Sequence, residues 1–422
     1  MNFTDNSKKL INNFLNDFDK YGLEKTSKQQ QHNDMIFKSI FNDISMAESY
    51  IKKIEELNLI KKTIKEVTSK KDLPKCSLWN GKYIPKHISL YISNNTKGYF
   101  KLNCKISSIN INIYFLFFSD KDFLNMNTVE KKLKFVLKVI KFMSYYINKA
   151  NVNNLDIFLA LTNFKKELPK NQISTIGQDN CNSAVTYACA KNGELLVFRK
   201  EEWKKVLIHE LFHSLCFDFS GINYTKLKDR IKGMYKIKSE FDISESYSEF
   251  WATILNCCFT SYELIGENKE RETFLLYTEF CIRMETIFSL FQAVKILNYM
   301  SLVYENLYKD DEISKNFRNI LYKEETNVFA YYILKCLMLF FNYDFIEMCN
   351  KINTNMLYFD KTPLNLKSFG DFILVKYDHP LFLSDIKNME LFHRRISGGN
   401  YTKPKRDYVN KTMRMTVCEV DL

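Results

Sequence analysis

Two of the six histidines in the sequence stand four residues apart with a glutamate directly after the first, in the run Val206-Leu207-Ile208-His209-Glu210-Leu211-Phe212-His213. Residues four apart project from one face of an α-helix, so both imidazoles can reach one ion while Glu210 points to the side where an activated water would sit. The H-E-x-x-H spacing therefore predicts one zinc per chain, held by His209 and His213, with Glu210 as the catalytic base. A hydrogen-bonded core histidine would explain either ring singly. Packing does not explain two at this interval around a carboxylate on an apolar segment, because burying an unpaired carboxylate is costly.

Catalytic zinc needs a third protein ligand, a histidine or a carboxylate. No histidine lies between His213 and His379, which rules out the motif in which a third histidine follows at once. The stretch Ile243-Ser244-Glu245-Ser246-Tyr247-Ser248-Glu249-Phe250-Trp251-Ala252 offers instead two glutamates one helical turn apart, with Glu240 as a weaker competitor. H-E-x-x-H followed by E-x-x-x-E on a second helix resembles the gluzincins, the thermolysin-like branch of the zinc peptidases. That resemblance implies Glu245 as third ligand and Glu249 as the acid behind a ligating histidine, where it would fix the ring's tautomer and raise its basicity. It also implies a zincin-like fold and a polypeptide substrate. More narrowly, Asn180-Cys181-Asn182-Ser183-Ala184 and the run from Phe198 to Glu210 are similar to metallopeptidases inferred from the genomes of large cytoplasmic DNA viruses, over about residues 170 to 260.

These side chains need a scaffold, and the periodicities suggest one. Residues 7 to 70 repeat apolar positions at three and four, as in Ile51, Ile54, Leu57 and Ile60, which predicts amphipathic helices. After a loop around Leu73-Pro74-Lys75-Cys76, strands are expected at Ile88–Ile92, Tyr99–Ile106 and Ile109–Phe117, a helix over Val129–Ala150 and a strand over Leu155–Thr162. Val185–Ala190 and Glu194–Phe198 flank Lys191-Asn192-Gly193, a hairpin signal leading into the motif helix. From Glu201 to Asn350 the pattern is helical, with breaks near Gly221, Gly233, Gly266 and Asp310-Asp311, and the last 50 residues read as irregular. Strands first and helices after give an α+β fold: a mixed, twisted sheet with the active-site helix, followed by a mainly helical C-terminal part. The regions expected are 1–75 (helical), 76–220 (sheet and motif helix), 221–350 (helical, carrying the third ligand) and 351–422 (an extension). In zincins an edge strand beside the motif helix pairs with the substrate, which nominates Asn182, Ser183, Ala184 and Thr186.

A net charge of +12 admits nucleic acid as a partner but does not favour it, because the 61 basic residues are dispersed. The local clusters, Lys204-Lys205 and the tail from His393, Arg394 and Arg395 to Lys403, Lys405 and Arg406, read as solvated surface. Eleven cysteines without a C-x-x-C pair argue against a cysteine zinc site and fit thiols used as small core residues in a reducing, cytoplasmic compartment. The opening residues lack the pattern of a signal peptide, and the most apolar run, Val328 to Phe341, is interrupted by Lys335 and too short to span a bilayer. The oxyanion partner stays open among His379, His393, Tyr377, Tyr247 and Arg394. Two rivals remain: a zinc hydrolase acting on another bond, and a basic structural or nucleic-acid-binding protein stapled by a structural zinc.

Overall fold

The computed structural model describes all residues except 1, 25, 149–151, 172 and 399–407. It is an α+β structure in which one mixed six-stranded sheet is followed by helices. The strands are β1 (Lys61–Glu66), β2 (Gly98–Ile106), β3 (Ile109–Phe117), β4 (Asn154–Thr162), β5 (Ala184–Thr186) and β6 (Asn192–Arg199), in spatial order β1-β2-β3-β4-β6-β5. β3, β4 and β6 run parallel; β1, β2 and β5 pair antiparallel with their neighbours. The β3–β4 crossover carries the helix Met126–Ser144, whose Leu133, Val136 and Ile140 are buried in the same core as Ile111, Ile113 and Leu155. The other face packs Tyr99, Leu116, Phe158 and Phe198 against a helix at Lys86–Asn95.

That helix replaces the strand expected at Ile88–Ile92. Ile88 and Ile92 are both buried while Leu90 and Tyr91 are exposed, a four-residue period that an apolar run of this length does not declare. β1 was expected to continue a helix; all six of its residues are exposed, so no alternation marks it. Asn192-Gly193 is not a turn. Both residues lie in β6 and pair with Asn154 and Leu155 of β4, and a Cβ at Gly193 would meet Leu155 Cδ1 at 3.1 Å, so glycine serves close approach between strands.

Helix ends fall near Gly221, Gly266 and Asp311, but Gly233 lies inside the helix Thr225–Tyr235. The last 50 residues are not irregular throughout: the end of helix Pro363–Lys376 and the whole of helix Pro380–Gly398 lie within them. Met413 to Cys418 are all buried, and Phe3 pairs with Val420. One hydrophobic core contains Phe14, Ile157, Phe250, Phe392 and Val420, so the four regions share a single interior. Among the described residues no single helix is long and apolar enough to cross a membrane.

Candidate metal centre

The motif occupies a helix, Trp203–Ser214, buried on every side between the sheet and a second helix, Ser244–Leu264. A helix apolar all round belongs in an interior, yet this one brings ionisable groups with it. Glu202 begins it in a left-handed conformation (φ 61°), and its carboxylate accepts the main-chain amides of Met415 and Thr416 and pairs with Lys166 at 2.9 Å. Lys204 and Lys205, expected on a solvated surface, are 3% and 1% exposed. Lys204 donates to the Val420 carbonyl and Lys205 bonds both oxygens of Glu249. Lys205 is ion-paired inside and Lys204 is held by a carbonyl, so both are accommodated in the interior.

Three side chains converge on one point. His209 Nε2 lies 3.0 Å from Glu245 Oε2, His213 Nε2 lies 3.2 Å from the same oxygen, and the two ring nitrogens are 3.1 Å apart. Ligand atoms placed tetrahedrally at zinc's usual 2.0–2.1 Å stand about 3.3 Å apart, so the triangle has the dimensions of three zinc ligands. The far nitrogens explain why. His213 Nδ1 is bonded to Asp218 Oδ2, and His209 Nδ1 lies 3.1 Å from Glu249 Oε1, within ion-pair range although the ring N–H is not directed along the contact. Each acid favours the tautomer carrying its proton on Nδ1, which turns two Nε2 lone pairs and a carboxylate towards one another. Three such groups in contact could hold a metal ion, and a set of two imidazoles and a carboxylate is one that suits zinc.

Electrostatics follow the geometry. Burial would lower the pKa of His213, but Asp218 and Glu245 hold it well above the usual histidine value; burial likewise opposes His209, which Glu249 and Glu245 raise. Burial would raise Glu245, Glu249 and Asp218, yet the imidazoles, joined by Lys205 and Lys335 at Glu249, bring all three below the usual carboxylate range. Glu210 differs. Burial raises its carboxyl, and among the described residues no side chain donates a hydrogen bond to it.

The triad opens into a cleft of about 780 Å³ lined by Ser183, Thr186, Glu210, Asp242, Thr326 and Tyr331. No protein-family model, no curated protein and no solved structure matches this chain.

β5 forms one wall of the cleft and ends the sheet. The Phe198 amide donates to the Ser183 carbonyl at 2.9 Å and Val185 pairs with Leu196, so ladder alternation directs the main-chain groups of Ala184 and Thr186 to the open edge. The strand stops at Thr186, short of the expected Ala190, because the Cys189 amide donates to the His213 carbonyl. Ser183 Oγ is buried beside the cleft without a hydrogen-bond partner, whereas the Asn182 amide is engaged by Tyr83 O and Thr326 Oγ1. Thr186 Oγ1 bonds Glu194 O and Ser214 Oγ.

Of the residues considered for the oxyanion, none lines the cleft. Tyr247 is wholly buried and donates to Leu357 O; Tyr377 packs on Tyr235; His379 and His393 pack on Phe341 and Phe291; Arg394 is exposed. Tyr331 lines the cleft instead, its ring centred 6.1 Å from His209. It and Asp218 are the site residues that sequence reasoning missed. Asp218 had a faint signal, an acid five residues after the second histidine in an apolar run; Tyr331 had none. Glu240 sits at the rim, paired with Lys228 and Lys232, and Lys403, Lys405 and Arg406 lie outside the described residues. Cys189 and Cys216 are bonded to each other, a departure from the expectation of free thiols throughout that a 27-residue separation gives no means to foresee; the other nine are unpaired. A second cavity, about 600 Å³, lies away from the triad, and its Lys138 is paired with Glu48 and Glu263.

Proposed function

We propose that this chain is a zinc-dependent peptidase of gluzincin type, with His209, His213 and Glu245 as ligands and Glu210 as general base. The observation that carries the reading is the pairing of a three-ligand triangle with a buried carboxylate that no neighbouring side chain engages, both on one cleft. A structural zinc is closed by four protein ligands, and among the described residues only three groups converge. A zinc in this triangle would polarise a water and the scissile carbonyl. Glu210 takes the proton from that water and passes it to the leaving amine, and its raised pKa makes it a stronger base than an ordinary carboxylate. Ala184 and Thr186 receive an extended substrate through main-chain hydrogen bonds, Ser183 Oγ offers a further one, and the Tyr331 hydroxyl donates to the developing oxyanion. The zincin likeness and the kinship with viral metallopeptidases belong to this proposal.

The test is Glu210→Gln, which keeps the shape of the side chain and removes its ability to accept a proton. Zinc content and fold should be unchanged while cleavage of an unfolded polypeptide falls on the order of 100-fold or more. Normal turnover by that variant, or no cleavage by the zinc-loaded parent, rejects the reading.

A further inference from the structure

Residues 412 to 420 run through the interior outside any helix or strand, and most of their main-chain hydrogen bonds are made to buried side chains rather than to a sheet. The Met415 and Thr416 amides donate to Glu202, and those of Val417 and Cys418 to Glu285 at 2.9 and 2.8 Å. The carbonyls of Thr412, Met413, Met415, Cys418 and Val420 accept from Lys295, Tyr332, Lys335, Asn256 and Lys204. Every one of these partners is at most 3% exposed. Buried ions are tolerated only when paired and hydrogen-bonded, so the segment completes a charge network that the helices leave open.

Two members of that network reach the metal centre. Lys335 Nζ lies 2.6 Å from Met415 O and 4.0 Å from Glu249 Oε2; Lys205 Nζ bonds Glu249 and lies 3.8 Å from Met415 Sδ. Glu249 in turn sits behind His209. We infer that the C-terminal segment is a positioning element of the metal centre: its Met415 carbonyl anchors Lys335, and Lys335 with Lys205 holds Glu249 against the His209 ring. Without that carbonyl, Lys335 has Glu249 and Glu285 as competing acidic neighbours, and the acid behind His209 loses a fixed partner. The inference rests on zinc binding at the triad and is independent of the bond that is cleaved.

Coupling of this kind is reciprocal: if the segment steadies the ligands, zinc must steady the segment. Hydrogen exchange on the full chain reads that directly. The Met415 to Cys418 amides should exchange about ten-fold or more slowly with zinc bound than in zinc-free protein, whereas a segment serving only the core would exchange alike in both. Lys335→Met should weaken zinc affinity by about 10-fold, the lower end of the cost of losing an outer partner, and Lys335→Arg should restore most of it. Lys295→Met loosens the same segment at Val409 and Thr412 without touching Glu249, and it too should weaken zinc binding. Equal exchange with and without zinc, or parental zinc affinity in Lys335→Met, overturns the inference. A parent chain that binds no zinc rejects the metal reading itself and the inference with it.

Discussion

The two histidines of the triad are backed by carboxylates in opposite surroundings. Behind His213, Asp218 is held by near neighbours and dipoles: the Ser220 amide and hydroxyl at 2.8 and 2.6 Å, and Ser248 Oγ at 3.1 Å. Behind His209, Glu249 is held by full charges from far along the chain, Lys205 and Lys335, the second anchored on Met415. Hydroxyls that lose an acceptor can turn to another, whereas a buried ammonium cannot, so two sides with the same duty towards the metal should differ in what their loss does to the fold.

The largest effect should erase the comparison. Glu245 meets both Nε2 atoms and belongs to neither side, so Glu245→Ala should abolish tight zinc binding, as should His209→Ala with His213→Ala. Metal analysis of protein purified without added zinc should find about one zinc per parent chain and far less in either variant. Substoichiometric metal that is equal in all three would remove the site.

Next, Glu249→Ala and Asp218→Ala separate the two sides. Each should weaken zinc affinity by roughly 10- to 100-fold, the usual cost of an outer partner. Zinc-free stability should diverge. Glu249→Ala leaves Lys205 buried without its carboxylate and should cost about 3–5 kcal/mol, whereas Asp218→Ala leaves hydroxyls and one ring nitrogen to re-partner and should cost about 1–3 kcal/mol. Urea unfolding of the zinc-free proteins measures both; equal losses would mean that the difference between charges and dipoles has no energetic content.

The same contrast sorts what a reader of the sequence can find. His209, Glu210, His213 and the pair Glu245/Glu249 are separated by turns of a helix, β2 and β3 announce themselves by alternation and β4 and β6 by short continuous apolar runs, because in each case the physics that places the residues acts over a few positions. Asp218 stands five residues from His213 and was within reach of such reasoning. Lys205 looked like surface because its partners come from residues 249 and 415, and the tail looked irregular because its hydrogen bonds go to buried side chains at 202, 285 and 335. Tyr331 enters the cleft from a π-helical turn, Phe329–Leu334, whose apolar sequence signals only burial. Contacts closed across hundreds of residues leave no period to detect.

The smallest effect concerns pH, and it asks which side holds its proton harder. In zinc-free protein both histidines titrate above their ordinary value of 6.5, His213 further than His209, so the folded chain binds protons that the unfolded chain gives up. Their contribution to stability is fully present below pH 6.5 and is lost as pH rises through the folded values. The lowered Glu245, Glu249 and Asp218 act in the opposite sense, contributing above their ordinary values of 4.5, 4.5 and 3.8 and fading as pH falls. Zinc-free protein should therefore be most stable between about pH 4.5 and 6.5. Zinc takes the place of those histidine protons, so the stability gap between loaded and zinc-free protein should widen with rising pH and level off once pH passes the raised folded histidine values, by at most about 1.4 kcal/mol per pH unit for each proton displaced. Because Asp218 is the largest raising influence on His213, Asp218→Asn should flatten that widening more than Glu249→Gln does. Thermal unfolding of loaded and zinc-free protein across pH 6 to 9 supplies both slopes, and a gap that stays constant with pH, or that flattens equally in the two variants, would contradict the stronger hold assigned to the His213 side.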